Sequence, residues 1–161
     1  MSDAVSAAGH AAAPDRLANF PISFFATVMG LSGLALATLR LEHFAGAPHL
    51  ASLGVLVVAA AVFVTIAAVY ATKLRRHPAE VQAEWRHPVK IAFFPTISIS
   101  LVLLGTAAQA FHPGLGVGLW AVGTVGHLVA TLAILSMWIT GEHYEAPHLN
   151  PAWFIPAVGN V

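Results

Sequence analysis

Ser23, Thr27 and Gly30 lie at i, i+4 and i+7 in the stretch NFPISFFATVMGLSG, so two hydroxyls and a bare stretch of backbone share one face of a helix. Such a face can replace water around a passing solute with hydroxyl and peptide dipoles, and the width left by its small side chains sets the barrier. The plainer reading, and the one the pattern favours, is that Ala26, Gly30, Gly33 and Ala37 form the small-residue face that lets helices approach closely in lipid. Pro21 precedes this stretch. Further along, Pro95 interrupts an apolar run and is followed by Thr96, Ser98 and Ser100. A proline there predicts a kink with a free carbonyl near Ile91, which neighbouring hydroxyls either repair or leave beside a solute path. Pro156 repeats the device, so each odd-numbered apolar segment carries a proline while the even-numbered ones have none inside them. Bent odd-numbered helices surrounding something is the arrangement this pattern suggests.

Nine histidines raise the question of metal or haem. His127 alone lies deep in an apolar run; His49 and His112 stand at run ends and the others fall in tails or loops. A bis-histidine haem needs two ligands at similar depth, which this pattern does not supply. His127 reads as a polar residue bonded to a neighbouring helix, or as an uncharged imidazole beside a solute path. The run Glu142-His143-Tyr144-Glu145-Ala146-Pro147-His148 reads as a solvated loop rather than a metal site. With no cysteine there are no disulfides, thiolate zinc sites or iron-sulfur clusters. No cofactor is expected.

The elements that position these residues follow from composition. The 161 residues are 58% hydrophobic and 9% charged, which excludes an ordinary soluble enzyme domain. Seven basic residues balance seven acidic ones, leaving no surplus to hold nucleic acid. Mean hydropathy is +0.78. Four uncharged runs are long enough to cross a bilayer, at about 19–39, 49–72, 91–111 and 116–140, and a partial fifth occupies 151–161. They predict an all-α integral membrane protein of two transmembrane helical hairpins plus the start of a fifth helix. None of these runs contains Asp, Glu, Lys or Arg, which argues against a proton- or ion-coupled pump.

Lys73, Arg75, Arg76, Arg86, Lys90 and Arg16 gather on one side and Arg40 alone on the other, so the N-terminus and residues 73–90 are expected in the cytoplasm. Residues 1–18 read as a disordered tail. Pro78 predicts a short interfacial helix in the cytoplasmic segment, with Glu80 and Glu84 on one face and basic residues for anionic lipid. The last apolar segment is too short to span, and a carboxylate at Val161 would sit at membrane depth, so a fragment is expected.

Asn19-Phe20-Pro21, Gly30-Leu31, Tyr70-Ala71-Thr72-Lys73-Leu74-Arg75, His87-Pro88-Val89-Lys90, Gly123-Thr124-Val125-Gly126 and Pro151-Ala152-Trp153-Phe154-Ile155-Pro156 occur in the order and spacing of one family. From about residue 19 to 161 the chain resembles the tellurite-resistance/dicarboxylate transporter family (TehA-like), to which plant slow-type anion channels are related. The resemblance implies a ten-helix, pseudo-five-fold fold, with odd-numbered helices ringing a pore and a phenylalanine on the ninth helix closing it. That helix is not represented here. It implies passive passage of small anions or dicarboxylates across a bacterial inner membrane, by trimers, without enzyme activity. Pro21, Phe25 and Gly30 fit its first-helix pattern, whereas Ser23 and Ala26 replace glycines and so narrow the implied pore. The pore-lining candidates are therefore Pro21, Ser23, Phe25, Ala26, Thr27, Gly30, Pro95, Ser98 and Pro156. The alternative is a half-length membrane module that assembles with other chains and conducts nothing alone.

Overall fold

The structure, a computed structural model, describes residues 15–140 and 151–158. Residues 1–14 of the expected tail, the 142–148 stretch and the terminal Val161 lie outside the described residues. Among the described residues, four helical segments are long and apolar enough to cross a membrane: Ile22–Ala45, Leu50–Arg76, Lys90–Ala108 and Pro113–Thr140.

The first opens with a 3-10 turn at Ile22–Phe24 and continues as α1, Phe25–Ala45. It stops at Gly46, whose φ of 64° carries the left-handed cap; Ala47 N–H donates to the Glu42 carbonyl and Gly46 N–H to the His43 carbonyl. α2 spans Leu50–Arg76, and Lys73, Arg75 and Arg76 in its last turn oppose the negative end of the helix dipole. α3, Pro78–Arg86, starts on a proline whose missing N–H costs nothing at a first helical position. A 3-10 turn at Lys90–Phe93 leads into α4, Pro95–Ala108, and α5 runs over Pro113–Thr140. A further 3-10 turn, Pro151–Phe154, precedes the short α6, Ile155–Val158.

Two expectations are corrected. The third span is not one kinked helix: the chain turns as a 3-10 segment and Pro95 begins the α-helix, so the Ile91 carbonyl is taken by Phe94 N–H at 3.1 Å. Nor are the membrane helices free of charge. α1 runs on through Arg40 and Glu42, and α2 through Lys73: partners on other elements satisfy Glu42 and Lys73, while Arg40 stays exposed. The Glu42 carboxylate accepts Ala51 N–H at 2.8 Å, Ser52 N–H at 3.3 Å and the Ser52 hydroxyl, capping the first turn of α2 from α1. Lys73, 1% exposed, pairs with Glu84 of α3 at 3.0 Å and donates to the Phe20 carbonyl at 2.8 Å. Tyr70 donates to the other Glu84 oxygen at 2.8 Å.

These ties make α1 and α2 an antiparallel hairpin fixed at both ends. α4 and α5 form a second one, and α4 lies parallel to α1, with the Ser100 hydroxyl reaching the Phe25 carbonyl at 3.3 Å. α4 is therefore the central helix, buried along most of its length, while one face each of α2 and α5 exposes Val57, Val58 and Val64, or Val122, Val125 and Val129. With no water in hydrocarbon, those outward valines suit lipid. Among the described residues, the 3-10 turns sit side by side at one end of the bundle.

Replacing Lys73 by Met strands the Glu84 carboxylate in the interior and is expected to cost about 3–5 kcal/mol. The double variant Lys73→Met/Glu84→Gln should recover a large part of that loss. Thermal unfolding of the four proteins of this cycle in detergent checks it, and additive losses would remove the ion pair from the fold's stability.

Candidate functional site

Among the nine sequence candidates the structure separates an open face from a packed interior. Ala26, Thr27 and Gly30 are exposed on α1, and Gly33, Leu34 and Ala37 continue the same side. A Cβ added at Gly30 or Gly33 would meet no atom within 4 Å. Among the described residues, then, these small side chains do not serve close helix packing; they leave a smooth, uncharged strip of backbone and one hydroxyl along α1. Pro21 and Ser23, at its 3-10 entrance, are half-buried.

Close packing occurs elsewhere, where sequence reasoning did not look for it. Cβ atoms at Gly105, Gly116 and Gly123 would come within 2.5, 2.5 and 2.7 Å of backbone nitrogens of Trp120, Gln109 and Val102. α4 and α5 therefore meet backbone to backbone, the use of glycine that lipid favours. The signal was present in the seven-residue spacing of Gly116 and Gly123, which puts both on one side of α5.

The remaining candidates are interior. Phe25 is 2% exposed and packs edge-on against Phe63 and Tyr70, with centroids 5.8 and 6.1 Å apart. Pro95, Ser98 and Pro156 are buried where α4, α5 and α6 converge. There the Ser98 hydroxyl donates to the Pro95 carbonyl at 2.8 Å and lies 3.2 Å from His127 Nδ1. His127 Nε2 is 3.4 Å from the Thr131 hydroxyl, which donates to the Pro156 carbonyl at 2.8 Å. His127 is thus a polar tie between helices. Thr96 bonds the Phe93 carbonyl and Ser100 the Thr96 carbonyl, so these hydroxyls repair the backbone around Pro95. Trp153 stacks on Trp138 at 4.9 Å and donates to the Pro88 carbonyl at 3.2 Å, fastening the 151–158 segment to α5 and to the connection that leads into α4.

α3 also differs from its expected role. Glu80 is exposed, but Glu84 turns inward to Lys73, so α3 is held to the bundle by an ion pair and not by its charges on lipid alone. Lys73, just past the second uncharged run, is a buried cation. Its pairing with Glu84 neutralises it and leaves the open strip of α1 without charge.

The chain matches the family model described as voltage-dependent anion channel over residues 19–161. A tellurite resistance protein TehA homolog from Haemophilus influenzae is 33% identical over 139 residues, covering 86% of this chain and 42% of that protein. An uncharacterized transporter of Methanocaldococcus jannaschii is 28% identical over 145 residues, covering 88% of this chain and 42% of that one. An S-type anion channel of Arabidopsis thaliana is 29% identical over 152 residues, covering 89% of this chain and 24% of the plant protein. The chain spans about two fifths or less of the length of these curated relatives.

Identical substitutions should distinguish the two kinds of glycine. Gly30→Ala gains helix propensity in open space and is expected to be neutral or stabilising by about 0.5–1 kcal/mol. Gly123→Ala must push α4 from α5 and should destabilise by about 1–3 kcal/mol. Melting temperatures in one detergent provide the comparison; equal shifts would contradict the difference in packing.

Proposed function

The chain belongs to the voltage-dependent anion channel family, and from that premise we propose that it forms part of the wall of a passive pathway for small anions across a membrane. The observation that carries this reading is the open strip of α1, Ala26, Thr27, Gly30, Gly33 and Ala37, on which no described residue packs over the two glycines. A strip without charge suits a channel rather than a tight carrier. Anions held by no fixed cation leave as readily as they enter, and dehydration and width set the selectivity. The Thr27 hydroxyl and the bare backbone at Gly30 and Gly33 are the dipoles offered in exchange for water.

In this proposal α1, α4 and the 151–158 segment belong to an inner ring of helices, and α2 and α5 to its outer layer. Supporting this are the side-by-side 3-10 entrances of the three inner elements and the apolar outward faces of the other two. The rest of the wall comes from helices of a longer protein or from other chains; in both arrangements the α1 strip is the same surface. The ten-helix ring, the ninth-helix phenylalanine gate, trimeric assembly and passage of dicarboxylates come from the family resemblance. A bacterial inner membrane comes from the same resemblance, and the cytoplasmic N-terminus rests on Arg16, Lys73, Arg75, Arg76, Arg86 and Lys90 gathering on one side in the sequence reading.

Cysteine scanning tests the strip directly, because this chain contains no native thiol. In the natural protein reconstituted into vesicles, Gly30→Cys should conduct nitrate or chloride until a charged methanethiosulfonate reagent is added, then lose at least about 90% of its flux, since a bulky group at a constriction blocks passage. Val64→Cys, on the outward face of α2, should be unaffected. Flux through Gly30→Cys that survives complete labelling would take the strip out of the pathway.

A further inference from the structure

The strip on α1 does not end at Ala37. Ala26, Gly30, Gly33, Ala37 and Arg40 follow one another at intervals of four, three, four and three, so Arg40 stands in line with the small residues, roughly 27 Å along the axis from Ile22. There Arg40 and His43 of α1, His49 of the α1–α2 connection and Thr106 of α4 line a cavity of about 240 Å³ floored by Leu36 and Leu39. It opens at the end of the bundle opposite Lys73.

The charge in this cavity is unbalanced. Glu42, the carboxylate nearest to Arg40 in sequence, is buried and turned to the first turn of α2, where it accepts Ala51 N–H and the backbone and hydroxyl of Ser52. It faces His49 from there, but among the described residues Arg40 makes no ion pair. The His49 ring is held edge-on to Phe111 at 6.4 Å and lies 6.3 Å from that of His43, which gathers two N–H donors beside the guanidinium. The Thr106 hydroxyl is already spent on the Val102 carbonyl at 2.8 Å and contributes only wall.

We propose that this cavity is a binding site for a small halide or oxyanion at one end of the α1 strip, with Arg40 as its charge and His43 and His49 as N–H donors. The inference rests on the reading of α1 as a pathway wall, and it supplies what that wall lacks. An uncharged strip offers an anion no attraction, whereas an unpaired guanidinium at its mouth concentrates anions there. A lipid phosphate has the same chemistry as a free oxyanion, so the test must separate the two.

The test is chloride-35 line broadening by the natural protein, in a neutral detergent and in nanodiscs with and without phosphatidylglycerol. Saturable broadening in all three, lost in Arg40→Gln and retained within about threefold in Arg40→Lys, is the expected result, because a halide needs the point charge and not the planar fork. Should Arg40→Gln fail to fold, His43→Gln/His49→Gln is expected to weaken the broadening several-fold. Absence of saturable broadening, or broadening untouched by these variants, overturns the site. Broadening that vanishes only with phosphatidylglycerol assigns the cavity to lipid phosphate and overturns it equally. Flux in vesicles keeps the two readings apart: chloride binding that depends on Arg40 in a protein passing no anion would sink the channel reading and leave the site standing. If both hold, Arg40→Gln should lower chloride flux by about three- to tenfold at low ionic strength, with the difference shrinking in high salt.

Discussion

A lysine ammonium held away from water must meet a negative charge, and Lys73 meets the carboxylate of Glu84, delivered by α3 from the next helix in the chain. Three further geometric facts follow from that pair. The Lys73 ammonium also takes the Phe20 carbonyl, fixing the entrance of α1 against the end of α2. Glu84 also receives the Tyr70 hydroxyl, whose ring packs edge-on against Phe25 and Phe94, so the pair is joined to aromatic packing that reaches from α1 to the start of α4. α3, which composition alone would leave lying on lipid, is drawn under the bundle. A buried pair of this kind contributes less to net stability than to specification, since it is satisfied in one arrangement of the helices and heavily penalised in others.

At the other end a carboxylate does the corresponding work without a cation. Glu42 takes the N–H groups that the first turn of α2 leaves unsatisfied, where the helix dipole favours negative charge. The two ends of the first hairpin are thus closed by different chemistry. Committing both acids to the scaffold has an electrostatic consequence: the α1 strip carries no charge, and Arg40 beyond it keeps its own.

Glycine divides along the same line. At Gly105, Gly116 and Gly123 its lack of a side chain is used up by a neighbouring backbone, and the second hairpin closes tightly. At Gly30 and Gly33 it is left unused within the described residues. The exposed faces of α2 and α5 carry valines together with open glycines at Gly54 and Gly118 and hydroxyls at Thr65 and Thr124. The assignment of the α1 strip to a solute path therefore rests on its place on the helix that packs against the central α4 and not on openness alone.

The sequence by itself determined the membrane class, the four spans, the two hairpins, the start of α3 at Pro78 and the face shared by Ala26, Thr27 and Gly30, because hydrophobic run length and helical period are local properties of a chain. It also pointed to His127 as an interhelical tie. Tertiary structure alone decided the rest. Helix ends ran past Glu42 and Lys73 because the groups that satisfy these charges lie on other elements, and past Arg40 because its side chain stays exposed; a charge without a visible partner in the sequence reads as a boundary. Phe25 and Ser98 fell inside the packing while Gly30 stayed open, although all three occupy apolar spans. Period fixes which residues share a face of a helix, but which face meets a neighbour depends on where the other helices stand, and that is settled by contacts between residues far apart in sequence.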